Sequence, residues 1–360
     1  MKISVTSHHY FPHTGGTERV VKTSVDALSE MGNEMHVFSD LEDLQALKNS
    51  EKIQYHGINL RRIGKFRFPP SDYWKLLRGN NSDIYHIHGQ RVWSSDYLYL
   101  HLNRINGKKL FTAHGFYQLI YGGTINSVYY RKFMPSFLAK FDHIISLTEK
   151  EKAITTELAP DLGDKISVIP DPVDFHRISV SGNVDEITSK YGLEMGKYFI
   201  HSGGLQRNKN IEFIIKAIKG LKQPLVLTGN TPDQSYVGYL KQLASENGVS
   251  LIFAGNIPDK DLYTLMGGSD AFLFSSKFES FGVAIVEAVY SGARVISADA
   301  GIAKELSGSG MLQIVDSPSR MREAIVNYRR ISDLDSVRKK LEGNYATETI
   351  MGRLVKLYES

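Results

Sequence analysis

Apolar positions follow two rhythms along this 360-residue chain. Short apolar runs at 3–6, 35–38, 84–87, 110–112, 143–147 and 167–169 predict strands. Between the first two, Val20, Val21, Ser24, Ala27, Leu28 and Met31 recur at helical spacing, so a helix is expected from about Glu18 until Gly32 ends it. The second half repeats the plan. Strands are expected at 198–201, 225–227, 251–253, 271–274 and 295–297, with Ile211, Ile214, Ile215, Ile218 and Leu221 marking a helix between the first two. Alternating β and α elements of this length imply parallel sheets covered on both faces, and two such runs imply two doubly wound, Rossmann-like α/β domains.

Pro170-Asp171-Pro172 breaks any regular element and places a boundary there. The expected domains are 1–170 and 171–344. A last amphipathic helix within 345–360, with Ile350, Leu354, Val355 and Tyr358 on one face, is expected to cross back onto the first. Residues 127–141 mix aromatics with Arg131, Lys132 and Lys140. They read either as a core helix with basic edges or as a helix that touches a membrane or a lipid-linked acceptor.

Composition narrows the chemistry. The chain has no cysteine, which excludes disulfides, thiol catalysis, Cys-ligated zinc and iron–sulfur clusters. Its start reads as a strand rather than the apolar core of a signal peptide, and no uncharged run approaches the ~20 residues needed to span a bilayer. A cytoplasmic protein, soluble or peripheral at the cytoplasmic face of a membrane, is expected. The net charge of +4 arises in residues 1–170, which hold 21 Lys and Arg against 17 Asp and Glu. The excess gathers at 61–67 and at Lys108-Lys109, as a solvated surface or as an attraction for anionic lipid or acceptor. No nucleic-acid-binding module accompanies it.

Candidate chemistry sits where strands give way to helices. Ser275 to Glu287 follows the predicted strand 271–274 and runs into a helix. Backbone N–H groups of Ser280, Phe281 and Gly282 at a helix start suit an anion such as a diphosphate, and Gly282 lets it come close. Glu279 and Glu287 fall eight residues apart, about two turns on one helix face. Glu287 lies among apolar residues and needs a polar partner, for which a ligand hydroxyl pair is one candidate. Two solvated glutamates would give the same pattern. Gly203, Gly204, Arg207 and Lys209 open the second domain in a way that suits phosphate oxygens, or simply form a tight basic turn. Gly15 and Gly16 precede the first helix, but no Gly-x-Gly-x-x-Gly exists, which argues against nicotinamide binding despite Asp40 at the end of the second strand. His86 and His88 point to one face without a matching ligand set, so they read as structural histidines. His114, before Gly115, ends a predicted strand where a cleft between domains is expected.

Together these residues resemble retaining glycosyltransferase family 4. The resemblance rests on Glu279-Ser280-Phe281-Gly282 with Glu287, Gly292 to Ser297, Gly15-Gly16, Asp83 to His88, Thr112 to Gly115, Ile169 to Asp174, Lys209 and the segment 345–358, in the right order along nearly the whole chain. It implies the GT-B fold, two facing Rossmann-like domains with the site between them. It also implies roles. Glu279 binds hydroxyls of the donor sugar, Phe281 and Gly282 offer backbone N–H groups, and Glu287 accepts from the nucleotide ribose. Lys209 neutralises the leaving diphosphate, His114 lines the sugar pocket near the anomeric carbon, and Gly15 and Gly16 close over the donor.

Three positions depart from the family. Gly204 stands where an arginine is usual, so Arg207 is expected to take over its phosphate. Asp171-Pro172 stands where Asn-Gly is usual, and Gly301-Ile302 where Gly-Gly is usual. The expected substrates are a UDP-, GDP- or other nucleoside-diphosphate sugar and a glycan or lipid-linked acceptor. No cofactor or metal is required, because basic groups and a helix end take a cation's place. Alternatives are a nucleotide-sugar epimerase or other GT-B enzyme, and a non-catalytic nucleotide-sugar-binding subunit.

Overall fold

The structure is a computed structural model and describes residues 1–13, 15–63, 66–179, 182–328 and 333–360. Gly64 and Lys65 of the basic run at 61–67, and Thr14 of the first loop, lie outside the described residues. The chain forms two compact units, Met1–Pro172 with Thr347–Ser360, and Val173–Ala346.

In the first unit, β1 (Lys2–Thr6), β2 (Glu34–Asp40) and β3 (Ile53–Ile58) are followed by a hairpin of β4 (Arg61–Ile63) and β5 (Phe66–Phe68). Then come β6 (Ile84–His88), β7 (Lys108–Thr112), β8 (His143–Ser146) and β9 (Ile166–Val168). All but the hairpin join one parallel sheet in the order β3-β2-β1-β6-β7-β8-β9. The second unit holds β10 (Phe199–Ser202), β11 (Leu225–Thr228), β12 (Leu251–Gly255), β13 (Ala271–Phe274), β14 (Val295–Ser297) and β15 (Gln313–Ile314). They form a parallel sheet in the order β12-β11-β10-β13-β14-β15.

Both orders reverse beside their first strand, between β1 and β6 and between β10 and β13. Loops leaving the carboxyl ends of those pairs diverge to opposite sides and leave room for a ligand. Continuous apolar strands follow from burial on both faces: every residue of β11 and β13 is buried, and Ile211, Ile214, Ile215 and Ile218 of the following helical region pack beneath β10 and β11.

Some elements differ from the sequence reading. The first helix begins at Gly16, two residues early, with Gly15 in extended conformation before it. Strands β3 and β15 and the hairpin are additional. The strand β3 alternates weakly and is only partly buried, so its pattern is faint. Asp40 does not wait for a ribose: its carboxylate accepts from Arg67 of the hairpin at 2.7 Å and caps the backbone N–H of Glu42. Residues 127–141 form a helix (Gly123–Val128), a wider π-type turn (Tyr129–Phe133) and another helix (Met134–Leu138). Tyr130, Met134, Phe137, Leu138 and Phe141 enter the core while Arg131 and Lys132 stay exposed.

The last helix, Thr347–Glu359, packs on Gly16–Glu30 and is part of the first unit. Lys108 Nζ donates to the terminal carbonyls of Leu357 and Tyr358 at 2.8 and 3.3 Å, a cation at the negative end of a helix. The buried Tyr358 hydroxyl lies 2.8 Å from His86 Nδ1, and His86 Nε2 lies 2.8 Å from Thr112 Oγ1. Burial drives the His86 pKa down to about 3, so the ring is neutral and can use each nitrogen once. Tyr358→Phe should therefore cost about 1–3 kcal/mol, the penalty for stranding a buried polar atom, read as a lowered free energy of urea unfolding; no loss would mean that the bond contributes nothing.

Candidate active site

In the second unit the chain leaves β10 through Gly203 and Gly204 into a short turn, Arg207–Lys209, and then the helix Ile211–Ala217. It leaves β13 through two buried serines, Ser275 and Ser276. Ser275 Oγ lies 2.8 Å from the Lys209 carbonyl and 3.0 Å from that of Asn210, and the Lys277 N–H donates to the Asn208 carbonyl at 2.8 Å. The two loops are thus tied at neighbouring points. That tie sets Lys209 Nζ 2.6 Å from Glu279 Oε1, with both side chains less than one-fifth exposed. A pair this shielded interacts more strongly than one at the surface.

Glu279 and Glu287 do not share a helix. The helix spans Val283–Tyr290, because Gly282 before it takes a left-handed φ of +88°. A residue with a Cβ would be strained there by about 1–2 kcal/mol. Glu279 consequently stands on the loop and is free to meet Lys209, while Glu287 stays on the helix. The Phe281 ring is wholly buried, so only its backbone is available to a ligand; its carbonyl accepts from Ile302 N–H at 2.8 Å. Ile302, where glycine is usual, is itself buried.

Glu287 is buried, and its Oε1 accepts from the Tyr263 hydroxyl at 2.9 Å. Burial, then the charge of Glu287, pushes the Tyr263 pKa far up, so the phenol remains a donor. Arg177 is ion-paired with Asp259. Burial works against its charge, but Tyr263, Asp259 and Glu287 outweigh that and raise its pKa. Neither Tyr263 nor Arg177 carries a sequence signal toward Glu287; they lie 24 and 110 residues away, and only the fold gathers them.

Arg207 takes a different course from Lys209. Its guanidinium is mostly exposed, 3.9 Å from Asp233 and over the ring of Tyr236. At Gly204 an added Cβ would lie 2.6 Å from Asn230 Oδ1. Asn230 therefore occupies the space that a side chain at 204 would need.

In the first unit, Gly15 and Gly16 lie beyond β1, and a Cβ at Gly15 would run into the Glu18 carboxylate. His88 ends β6 and is buried; its Nδ1 lies 2.9 Å from Nε2 of His114, which follows β7. Burial lowers the His114 pKa to about 4, so the ring is neutral at pH 7. His114 has a φ of +55°, unusual for a residue with a side chain, and Gly115 one of +99°. The Gly115 N–H donates to Glu151 Oε1 at 2.7 Å.

Among the described residues of the second unit, three buried polar atoms besides Glu305 Oε2 have no hydrogen-bond partner: His201 Nε2, Asn208 Oδ1 and Ser276 Oγ. All belong to the ends of β10 and β13 or the loops they feed, where a polar ligand would satisfy them. His201 Nδ1 lies 3.0 Å from the Leu273 carbonyl and must donate to it. Burial lowers the His201 pKa to about 4 from 6.5. Between those values the unfolded chain binds more protons, so this group makes stability rise with pH across that window. His201→Phe should flatten the fall in stability between pH 6.5 and pH 4, measured by urea unfolding at several pH values; an unchanged slope would refute a neutral buried imidazole.

The chain is similar to known proteins in both sequence and fold. Residues 14–177 match the model of Glycosyltransferase Family 4, and residues 183–340 that of Glycosyl transferases group 1. The chain is 24% identical over 321 residues to the phosphatidylinositol N-acetylglucosaminyltransferase GPI3 subunit of Saccharomyces cerevisiae, covering 83% of this chain and 68% of that protein. It is 24% identical over 317 residues to N-acetyl-alpha-D-glucosaminyl L-malate synthase of Bacillus anthracis, covering 84% and 79%. Its fold matches the crystal structure of Anabaena Alr3699/HepE in complex with UDP with a TM-score of 0.79, at 16% identity over the whole of both chains. The two matched regions span most of the chain, and with its two parallel-sheet units it belongs to the group 1 glycosyltransferases of family 4, enzymes of the GT-B fold.

Proposed function

We propose that the enzyme transfers a sugar from a nucleoside-diphosphate donor to an acceptor hydroxyl with retained anomeric configuration. The observation that carries this reading is the shielded Lys209–Glu279 pair at the carboxyl ends of β10 and β13. An ammonium here meets the departing diphosphate, and the neighbouring carboxylate accepts from sugar hydroxyls. Glu287, whose Oε1 accepts from the Tyr263 hydroxyl, is assigned to the nucleotide ribose. Gly282 and the Phe281 backbone, with Ser280, border the diphosphate. Gly15, Gly16 and His114 of the first unit are assigned to the donor as well.

In the reaction, the bond between the anomeric carbon and the diphosphate oxygen breaks as the acceptor oxygen forms its bond on the same face. The acceptor proton passes to the leaving phosphate oxygen. Lys209 stabilises the charge that grows on the diphosphate, more in the transition state than in the ground state. Same-face attack suits a site in which no carboxylate is assigned beneath the anomeric carbon. The charge comes from side chains, so no divalent cation is needed.

Supporting a uridine nucleotide, the similar HepE structure contains UDP. Supporting a lipid acceptor, the yeast relative is named for phosphatidylinositol. Tyr117, Ile120, Tyr121 and Val128 are exposed close in sequence to exposed Arg131 and Lys132, a composition that suits a peripheral contact with an anionic membrane. No helix among the described residues is long and apolar enough to cross one.

A thermal-shift panel of nucleoside diphosphates and their sugars should identify the donor. A binder at 100 times its Kd stabilises by about 2.7 kcal/mol, and a panel without any shift would end the proposal. With the donor known, Lys209→Ala should lower kcat/KM by about 30-fold or more, the loss of one charge-assisted hydrogen bond of ~2 kcal/mol, and Arg207→Ala by about 10-fold. Unchanged kinetics in Lys209→Ala would remove its assigned role. Full turnover in EDTA is expected; loss restored by magnesium would contradict the metal-free chemistry.

A further inference from the structure

The His114–Gly115 turn is held by a group with no place in the family resemblance. Glu151 lies in the first turn of the helix Glu149–Leu158 and is almost fully buried. The helix is capped by Thr148, whose hydroxyl accepts from the Glu151 N–H at 3.1 Å. That cap turns the Glu151 side chain back over the start of the helix. There its carboxylate divides between two chain segments: Oε1 accepts from Gly115 N–H at 2.7 Å, and Oε2 accepts from Leu147 N–H at 2.5 Å. Gln90 donates to the Gly115 carbonyl, in the next peptide along.

We infer that Glu151 is the positioning residue of His114: its carboxylate clamps the left-handed His114–Gly115 turn to the Leu147 backbone and so fixes where the His114 ring stands. The inference rests on the reading above that His114 attends the donor sugar. A left-handed residue with a Cβ persists only when its surroundings hold it. Two groups do so here. His88 holds the ring through its Nδ1, and Glu151 holds the backbone one residue on.

The clamp has a pH dependence that follows from its chemistry. An ionised carboxylate offers lone pairs to both N–H groups, whereas a protonated one must turn a hydroxyl toward one of them. Burial pushes the Glu151 pKa up to about 7, against the pull of its bonds from Leu147 and Gly115. The titratable group coupled to it by charge is Asp171 of the linker, and His114 stands one residue before the Gly115 that Glu151 binds. His114 stays neutral in this range. Asp171 is buried as well, and burial followed by the charge of Glu151 raises its pKa to about 8. Burial raises both carboxyls, and the clamp tightens as Glu151 loses its proton with rising pH. Asp171 stands where the family usually carries asparagine, so in its protonated form it keeps the neutral character of that residue.

The test combines kinetics with a readout that needs no substrate. In wild-type protein labelled with 15N-glycine, the Gly115 amide resonance should shift with an inflection near pH 7, without donor or acceptor. In Glu151→Gln one bond survives and the other faces two donors, so that inflection should vanish. With the donor found by the nucleotide panel, Glu151→Gln should lower kcat by about 10-fold or more and abolish the activity limb near pH 7. Nucleotide affinity should stay within about two-fold, because Glu151 acts on the histidine and not on the diphosphate loops. Asp171→Asn should leave the limb near pH 7 in place. A Gly115 amide that does not titrate in wild type overturns the clamp, as does a limb that survives Glu151→Gln but disappears in Asp171→Asn. A protein that turns over no donor yet shows the amide inflection would defeat the glycosyltransferase reading and leave the clamp standing.

Discussion

The tie between the loops after β10 and β13 is the constraint from which the second unit's chemistry follows. Parallel strands end at one edge of the sheet, and beside the first strand the chain turns to opposite sides. Left alone, the two loops would part. Ser275 and the Lys277 N–H stop this by bonding to three successive carbonyls, Asn208 to Asn210. Only then do Lys209 and Glu279, seventy residues apart, become an ion pair. Opposite charges so shielded would be costly singly and are tolerated together. They also present a cation to phosphate and a carboxylate to hydroxyls within one hydrogen-bonded pair.

Much of this was legible in the sequence, for physical reasons that can be named. Doubly buried strands must be apolar throughout and their covering helices must repeat every three to four residues, so β10, β11 and β13 and the Ile211 helix announce themselves. Turn glycines and loop charges mark the carboxyl ends, which made Lys209, Glu279 and Glu287 visible. The strands β3 and β15 were not visible, because a half-buried or two-residue strand has too little pattern. The helix face that spacing predicts for the two glutamates does not form: Gly282 suits a closely approaching ligand, but its left-handed backbone also ends the helix before Glu279 is reached. Tyr263, Arg177, Glu151 and Asn230 were invisible for another reason. Each acts across a fold contact whose partner lies far off in the chain.

Both units keep imidazoles neutral by burying them. His86, His88, His114 and His201 all have lowered pKa values, each mainly through lost hydration. Neutral rings carry one donor and one acceptor, and therefore a direction. The chain from Tyr358 through His86 to Thr112, and the contact from His88 to His114, fix that direction at the carboxyl edge of the first sheet. The last helix takes part in this through Tyr358, so the chain's end helps to order the strand ends where the first unit's candidate residues lie.

The geometry at Gly204 bears on how such a site can change over generations. Because Asn230 Oδ1 stands where a side chain at 204 would grow, any residue larger than glycine there requires the Asn230 side chain to turn away. An arginine at 204 displaces Asn230 Oδ1, and a smaller residue at 230 removes that obstacle. The passage from glycine to arginine at 204 is therefore easiest where position 230 is already small or its side chain already turned aside. Epistasis of that kind makes the effect of a substitution at 204 depend on which residue occupies 230.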